Sequence, residues 1–291
     1  MAKVKFKTNV QLKSIIGKDL ITDDNIAVLE LVKNSFDAGA KEARVIFRNT
    51  KHNLKKNEYK KNNPSVIIIQ DDGDGMSEID ITDKWLNIAY SDKKQNTENH
   101  NRQLAGNKGV GRFSCDRLGK ELIIYTRKKS KSITKLLIDW RKFENDDNIN
   151  HTIQDVVFET QEITLNTFKQ ETQIGSFPKG TLLYISNLRT EWDHKKIQSL
   201  KLQLEKFINP NQNFESEKFE VIIEAKEYIS YEKKISDYQK VNGIVRNQIF
   251  DKLQFKATYI TSEISEDGKE ITTELFDRGR KIFTLLEKNM F

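Results

Sequence analysis

The chain has 291 residues, 36% of them hydrophobic and 32% charged, which suits one large domain, or one domain and part of another, with an adequate core. No apolar run reaches the ~20 residues of a membrane helix, and the basic start at Met1–Lys7 is not followed by the apolar stretch of a secretion signal. The single cysteine, Cys115, excludes an internal disulfide and a cysteine-based zinc cluster, and the four histidines are too far apart for a metal motif. We therefore expect a cytoplasmic protein without a membrane partner.

In the first ninety residues the sequence predicts a strand at 4–6, a short helix from Val10 to Ile16, a longer helix ending at Ala38, a strand from Ala43 to Phe47, a buried strand from Val66 to Ile69, and a helix capped by Ser77 and reaching about Ile88. Thr22, Asp23 or Asp24 can cap the longer helix. The polar stretches and the late glycine cluster of residues 90–111 predict a long functional loop.

The second part of the chain predicts a short helix to Leu118, strands near 120–127, 133–140, 153–160 and 181–186, and a helix from Trp192 to Ile208. We place a domain boundary near 210–217. Residues 1–212 then form the main domain, and residues 213–291 form a β-rich segment that we interpret as the start of a second domain.

The predicted helix that ends at Ala38 carries Glu30, Asn34 and Asp37 along one stripe, because their spacings are four and three residues. An apolar stripe lies next to it, formed by Ile26, Leu29, Val32 and Phe36. Carboxylates beside a buried face need a partner such as a metal ion or an ordered water. The alternative is a solvated helix face that happens to contain acids.

A second motif, Asp71-x-Gly73-x-Gly75, follows the predicted buried strand. Its glycines allow a tight turn and a close approach of the backbone to a ligand, and its acid can accept a hydrogen bond from an exocyclic amine. An ordinary Asp-Gly turn is the alternative. A calcium loop is disfavoured, since Asp83 rather than a glutamate falls near its far end.

A third motif runs from Gly106 to Ser114 and holds three glycines ahead of a predicted helix. Backbone amides of such a loop can cradle phosphates. The loop lacks the Gly-Lys-Ser/Thr ending of a Walker motif and does not directly follow a strand, which disfavours a dinucleotide site. A flexible hinge is the alternative.

Four features follow one another along the chain: the acid-and-amide helix, the acidic turn, the glycine-rich loop and Gly180-Thr181. Their order and spacing resemble those of the GHKL ATPases. This family includes gyrase B, the heat-shock chaperones with an N-terminal ATPase, histidine kinases and MutL. The segment Glu30–Ala40 looks like the N box of MutL and the chaperones. Trp85–Lys93 is similar to the segment that opens the lid in MutL- and MORC-like members. The resemblance covers about residues 1–210.

This resemblance implies an α+β fold, a two-layer sandwich with a mixed, mainly antiparallel sheet (the Bergerat fold), with the helices on one face. It also implies ATP and Mg²⁺ as cofactors and a slow ATP hydrolase. Glu30 would be the general base, and Asn34 would ligate Mg²⁺. Asp37 would support the nucleotide end of the helix, and Asp71 would bind the adenine amine.

The remaining contacts implied for the nucleotide come from the acidic turn, the lid at about 90–111 and the later strand. The turn contributes Gly73, Gly75 and Met76, the lid contributes Lys93, Gly106, Lys108, Gly109, Val110, Gly111, Arg112 and the following Phe113, and the strand contributes Thr181. For Lys93, Lys108 and Arg112, simple exposure on the lid is an equal alternative. Several family members also take a Lys or Arg from the following domain to contact the γ-phosphate. Arg278, Arg280 and Lys281 lie in that part of the chain, but no spacing assigns one of them this role.

Three functions share this pocket. The first is an ATP-driven conformational switch that forms a homodimer, with the N-terminal strand and helix favouring an exchange of N-termini. The second is a histidine-kinase-type phosphotransferase, which is disfavoured because no histidine precedes His52. The third is a MutL- or MORC-like ATPase on nucleic acid.

Support for the third function comes from the uneven charge. The chain carries 49 basic and 43 acidic residues, a net charge of +6, and eight of the basic residues fall between Lys41 and Lys61. Such a run can contact nucleic-acid phosphates. We favour the alternative of a solvated loop.

Overall fold

The computed structural model describes residues 21, 23–50, 64–87, 98–99, 102–103, 113–143, 156–208, 218–247 and 258–288. The chain forms two compact units. The first comprises Met1–Phe207 and Gln212–Val245, and the second comprises Ile208–Asn211 and Arg246–Phe291. No helix among the residues described is long and apolar enough to cross a membrane.

The helices are α1 (Asp24–Asp37), α2 (Ser114–Leu118), α3 (Leu165–Thr172), α4 (His194–Phe207) and α5 (Ile229–Glu232). The strands of the first unit are β1 (Glu42–Arg48), β2 (Val66–Asp71), β3 (Glu98–Asn99), β4 (Arg102–Gln103), β5 (Gly119–Arg127), β6 (Ile133–Asp139), β7 (Thr160–Ile163), β8 (Gly180–Leu188), β9 (Glu220–Glu224) and β10 (Gly243–Ile244). The second unit holds β11 (Thr258–Ile264), β12 (Glu270–Asp277) and β13 (Arg280–Lys288), which form a three-stranded antiparallel sheet in that order.

Eight strands of the first unit form one sheet in the order β10-β9-β1-β2-β8-β5-β6-β7, and β3 pairs with β4 apart from it. Within the eight-stranded sheet β1 and β9 run parallel, and the other described pairs are antiparallel. The fold class expected from the sequence, an α+β architecture with a mixed and mainly antiparallel sheet, is confirmed. A β-rich segment near the C-terminus is confirmed with it.

Alternation along the strands gives this sheet two buried faces. On one face Ile46, Ile68, Tyr125 and Leu182 pack in one cluster with Phe168 of α3. The other face carries Asp71 at the end of β2, and α1 lies against it, since the Ser35 hydroxyl reaches the Asp71 carboxylate. Helices therefore cover both faces, whereas the sequence indicated one.

The first helix begins where the sequence places it, but it presents a different face to the core. Asp23 is the cap, and its carboxylate accepts from the backbone N–H groups of Asn25 and Ile26 at 2.7 and 3.2 Å. The buried apolar residues are Ala27, Val28, Leu31 and Val32, whereas Ile26 is 42% exposed. The predicted apolar stripe is thus wrong by a partial rotation: Val32 is buried as predicted, but the sheet and α4 contact the face that also carries Ala27, Val28 and Leu31.

The segment after the acidic turn differs from the helix that the sequence predicts. Ser77 does form a cap with Asp80: its hydroxyl and backbone N–H both donate to that carboxylate, and the Asp80 N–H donates to the Ser77 hydroxyl. Asp80–Trp85 is nevertheless π-helical rather than α-helical. Lys128, just beyond β5, pairs with Asp80 at 2.7 Å and joins the segment to the sheet.

Strand β7 begins at Thr160, where the predicted strand at 153–160 ends, and α3 was not predicted at all. Its sequence is mostly polar and offers one deeply buried anchor, Phe168, so it lacks the periodic apolar signal of a helix. The other predicted strands and the helices ending at Leu118 and near Ile208 are confirmed within two residues at each end. The predicted strand at 4–6 and helix from Val10 to Ile16 lie outside the described residues.

The domain boundary near 210–217 stays a prediction, and the compact units divide the chain elsewhere. Strand β9 follows that boundary, yet it pairs with β1 from Glu42↔Glu220 to Ile46↔Glu224. Phe219, just before β9, also packs edge-on against Phe36 of α1, with ring centroids 5.3 Å apart. These contacts give residues 218–245 to the first unit and leave the three-stranded sheet to the second.

Candidate functional site

The end of β2 places a buried carboxylate, Asp71, among donors from three parts of the fold. Its Oδ1 accepts from the backbone N–H groups of Gly73 and Thr181, each at 3.0 Å. Its Oδ2 accepts from the Ser35 hydroxyl of α1, also at 3.0 Å. A carboxylate oxygen accepts about two hydrogen bonds, so Oδ2 retains capacity for one more donor.

Burial raises the pKa of Asp71 from 3.8 to about 6, against the lowering effect of the bonds from Gly73, Thr181 and Ser35. The nearby Asp72 carboxylate adds to the rise. Asp71 is therefore charged at neutral pH in an apolar setting, and its charge depends on these three donors. A ligand that supplied a further N–H would stabilise the charged form.

Two glycines bring the neighbouring strands close enough to build this arrangement. Gly75 has φ +67°, and a Cβ there would lie 2.2 Å from the carbonyl oxygen of Arg127 in β5. Gly180 has φ +110°, and a Cβ there would lie 2.0 Å from the carbonyl oxygen of Asp71. The backbones thus pack directly against each other where β2, β5 and β8 meet, and a side chain at Gly75 or Gly180 would force these strands apart.

A second hydroxyl, that of Thr126 in β5, lies beneath the same turn and is fully buried. It accepts from the backbone N–H of Met76 at 2.7 Å. It also lies 3.2 Å from the carbonyl oxygen of Gly180 and 3.3 Å from the hydroxyl of Thr181. Met76 and Thr181, both expected at the site, are therefore joined through a residue that the sequence did not indicate.

Helix α1 carries the other predicted polar residues along the site. Glu30 is about one-third exposed and accepts from the Lys33 ammonium at 2.7 Å. Asn34 is exposed, one turn further along, and Asp37 is buried at the end of the helix. Since Ser35 of the same helix contacts Asp71, the helix brings its polar residues and the acidic turn into one region.

The structure brings together Ser35, Asp71, Gly73, Met76, Thr126 and Thr181 by direct hydrogen bonds. Phe113 is buried and packs on Trp140 with ring centroids 6.5 Å apart. The other expected lid residues, Lys93, Gly106, Lys108, Gly109, Val110, Gly111 and Arg112, lie outside the described residues.

Sequence reasoning missed Ser35 and Thr126. Ser35 follows Asn34 in the predicted helix. The available signal was that Ser35 faces the sheet on the side where Asp71 lies. Thr126 had no local signal, because a threonine in a strand is typical of any sheet.

A family model described as histidine kinase-, DNA gyrase B-, and HSP90-like ATPase matches residues 21–174, just over half of the chain. The chain belongs to this ATPase family. The match spans α1, the acidic turn and the glycine-rich loop, and it includes every expected site residue except Thr181. No curated protein matches the chain.

Membership in the GHKL family supports ATP binding and hydrolysis at the level of the family, whose proteins generally bind ATP with Mg²⁺. The closer likeness to chaperone, MutL or MORC proteins stays a prediction.

We expect the Asp71 carboxyl to titrate near pH 6 in the unliganded protein, which ¹³C NMR of the side-chain carboxyl measures, with Asp71→Asn assigning the signal. Ser35→Ala removes a bond that favours the charged form and should move the pKa further up. Ser186→Ala is the matched control, since that buried hydroxyl donates to Glu121 instead. A pKa near 4 in the unaltered protein, or no change in Ser35→Ala, would contradict this account.

Proposed function

We propose that this chain binds ATP with Mg²⁺ at the site between α1 and the acidic turn, hydrolyses it slowly, and uses the cycle as a conformational and dimerisation switch. The observation that carries the proposal is Asp71, a buried charged carboxylate with acceptor capacity left on Oδ2. An exocyclic amine is the neutral donor that suits it, and adenine supplies one. Thr181, whose N–H binds the carboxylate, and Met76, whose N–H binds Thr126, complete the proposed base pocket.

Glu30 is the proposed general base. A carboxylate takes a proton from an attacking water only if it lies within hydrogen-bond reach and is itself solvated or well oriented. Glu30 satisfies the second condition, because it is partly exposed and the Lys33 ammonium orients it.

Asn34, an exposed residue of α1, is the proposed Mg²⁺ ligand through its amide oxygen. The described residues contain no group of three His, Cys, Asp or Glu side chains that could hold a metal ion. Mg²⁺ usually takes one or two protein ligands and completes its shell with phosphate oxygens and water, so few protein ligands are needed. Bound there, Mg²⁺ would neutralise charge on the phosphates. Asp37 and the lid residues keep the roles that the family resemblance implies.

A cation for the γ-phosphate is not identified among the three candidates in the second unit. The Lys281 ammonium pairs with Glu274 at 2.9 Å, and Arg278 lies in the turn between β12 and β13 with φ 48°.

Arg44 and Arg48, two residues of the basic run from Lys41 to Lys61, lend no support to nucleic acid as a partner. Arg44 donates to Glu42 and Glu224, and Arg48 donates to the carbonyl oxygen of Thr172. These guanidinium groups are committed within the protein. The basic residues from Lys51 to Lys61 lie outside the described part of the chain.

Glu30→Gln should retain ATP binding and lose at least about a hundredfold in turnover, since it keeps the shape of the side chain and removes the base. Single-turnover hydrolysis at saturating ATP and Mg²⁺, with ADP affinity measured alongside, separates chemistry from binding. Glu42→Gln, which changes a carboxylate at the start of β1, is the control. Equal turnover in Glu30→Gln and the unaltered protein would refute the assignment.

The proposed switch predicts that a non-hydrolysable ATP analogue with Mg²⁺ doubles the mass in solution, whereas ADP leaves it unchanged. Light scattering after size-exclusion chromatography measures this directly. Asp71→Asn, which weakens nucleotide binding, should remain at the starting mass with the analogue. The same mass under all nucleotide conditions would remove the dimerisation part of the proposal and leave the ATPase part standing.

A further inference from the structure

We infer that Thr126 is a positioning residue that fixes the direction in which the Thr181 hydroxyl hydrogen-bonds, and thereby favours a purine with a 6-amino group over one with a 6-oxo group. The inference rests on the proposed function, because it concerns the same base pocket. Thr126 and Thr181 are direct cross-strand partners of β5 and β8. Their side chains lie on the sheet face that Asp71 also occupies, opposite the cluster of Tyr125 and Leu182.

The buried Thr126 hydroxyl has one proton to donate and three polar neighbours. The Met76 N–H at 2.7 Å can only donate, so Thr126 accepts from it. The Thr126 proton then has two possible acceptors, the Gly180 carbonyl at 3.2 Å and the Thr181 hydroxyl at 3.3 Å. The Gly180 carbonyl can only accept, whereas the Thr181 hydroxyl can accept or donate, so all three contacts are hydrogen bonds only when the Thr126 proton goes to Gly180.

Once the Thr126 proton goes to Gly180, the contact between the two threonines has one direction left. Thr181 must donate its own proton to Thr126, because two oxygens without a hydrogen between them repel each other. The remaining lone pairs of Thr181 then make it an acceptor toward the base. Asp71 is also an acceptor, so the pocket presents two acceptors and no hydroxyl donor from either residue.

Two acceptors in one pocket, on residues joined by the bond from the Thr181 N–H to Asp71, match an amino group with its two hydrogens and oppose a carbonyl oxygen. Adenine offers the former at C6, and hypoxanthine offers the latter in an otherwise equivalent ring. A site that faces a ligand acceptor with its own acceptor discriminates more strongly than one that merely lacks a contact. Thr126 thus acts on the base through Thr181 without touching it.

Thr126→Val removes the hydroxyl, keeps the β-branched shape, and frees the Thr181 proton to donate to a 6-oxo group. Calorimetric titration with ADP and with IDP, each with Mg²⁺, measures the affinity ratio without hydrolysis. We expect the preference for ADP over IDP to fall on the order of tenfold, the equivalent of one hydrogen bond. Thr126→Ser, which restores the hydroxyl, should recover the original ratio.

Thr134→Val is the matched control. Thr134 is the partner of Thr126 on β6, is 9% exposed on the same sheet face, and lies one strand further from Thr181. It should leave the ratio unchanged. If Thr126 acts through Thr181, then in a Thr181→Val background the Thr126→Val change should have no further effect on the ratio.

Thr181→Val alone provides a test that does not depend on the folding of Thr126→Val, and it should lower the ratio to a similar extent. An unchanged ratio in Thr181→Val, or in a folded Thr126→Val, would overturn the inference while leaving ATP binding intact. Absence of binding of both ADP and IDP by the unaltered protein would instead refute the proposed function.

Discussion

The buried carboxylate of Asp71 links the elements that surround the candidate site. Asp71 has a pKa of about 6, above the ordinary 3.8, and at neutral pH the fold keeps it ionised at a cost on the order of 3 kcal/mol. The folded state holds the Asp71 proton up to a higher pH than the unfolded state does, so the protonated carboxyl stabilises the fold at low pH. This stabilisation is lost as the pH rises from about 4 to about 6. The three donors that limit the cost come from α1, from the turn after β2 and from β8. Those elements must keep their mutual positions for the charge to be tolerated.

The same contacts explain why the sheet and the site cannot be separated. Gly180 and Gly75 let backbones approach where β2, β5 and β8 meet, and the Thr181 N–H that binds Asp71 comes from the residue after Gly180. The Thr126 hydroxyl, which accepts from the Met76 N–H, belongs to the same group of contacts. On the opposite sheet face, Phe168 stacks on Phe177 with centroids 4.7 Å apart, which fixes β5 and β8 from the other side. The binding of a ligand amine to Asp71 would thus depend on the packing of β2, β5 and β8.

Much of this organisation could be predicted from the sequence, because its signals are local. The cap at Asp23, the apolar run of β2 and the Asp-x-Gly-x-Gly turn each follow from neighbouring residues. The family match agrees with the superfamily resemblance that these motifs indicated. Their spacing also placed Glu30, Asn34 and Asp37 on the helix that reaches Asp71.

What could not be predicted depends on contacts between distant parts of the chain. The buried face of α1 is decided by the sheet and α4, and helix α3 is held chiefly by Phe168 in a polar sequence. Strand β9 joins β1 across 178 residues, from Glu42 to Glu220, so a boundary drawn from composition could not anticipate it. Ser35 and Thr126 gain their importance only from what lies opposite them.

The most direct test of the account is the affinity of Asp71→Asn for ADP, measured by calorimetry with Mg²⁺. Asparagine can still accept from Gly73 and Thr181, but its amide presents donors where the carboxylate presented an acceptor. We predict that the variant keeps its circular dichroism and has a thermal stability no lower than that of the unaltered protein while losing about a hundredfold in affinity, since a donor would then face the adenine amine. A folded Asp71→Asn protein that binds ADP as tightly as the unaltered chain would contradict the account.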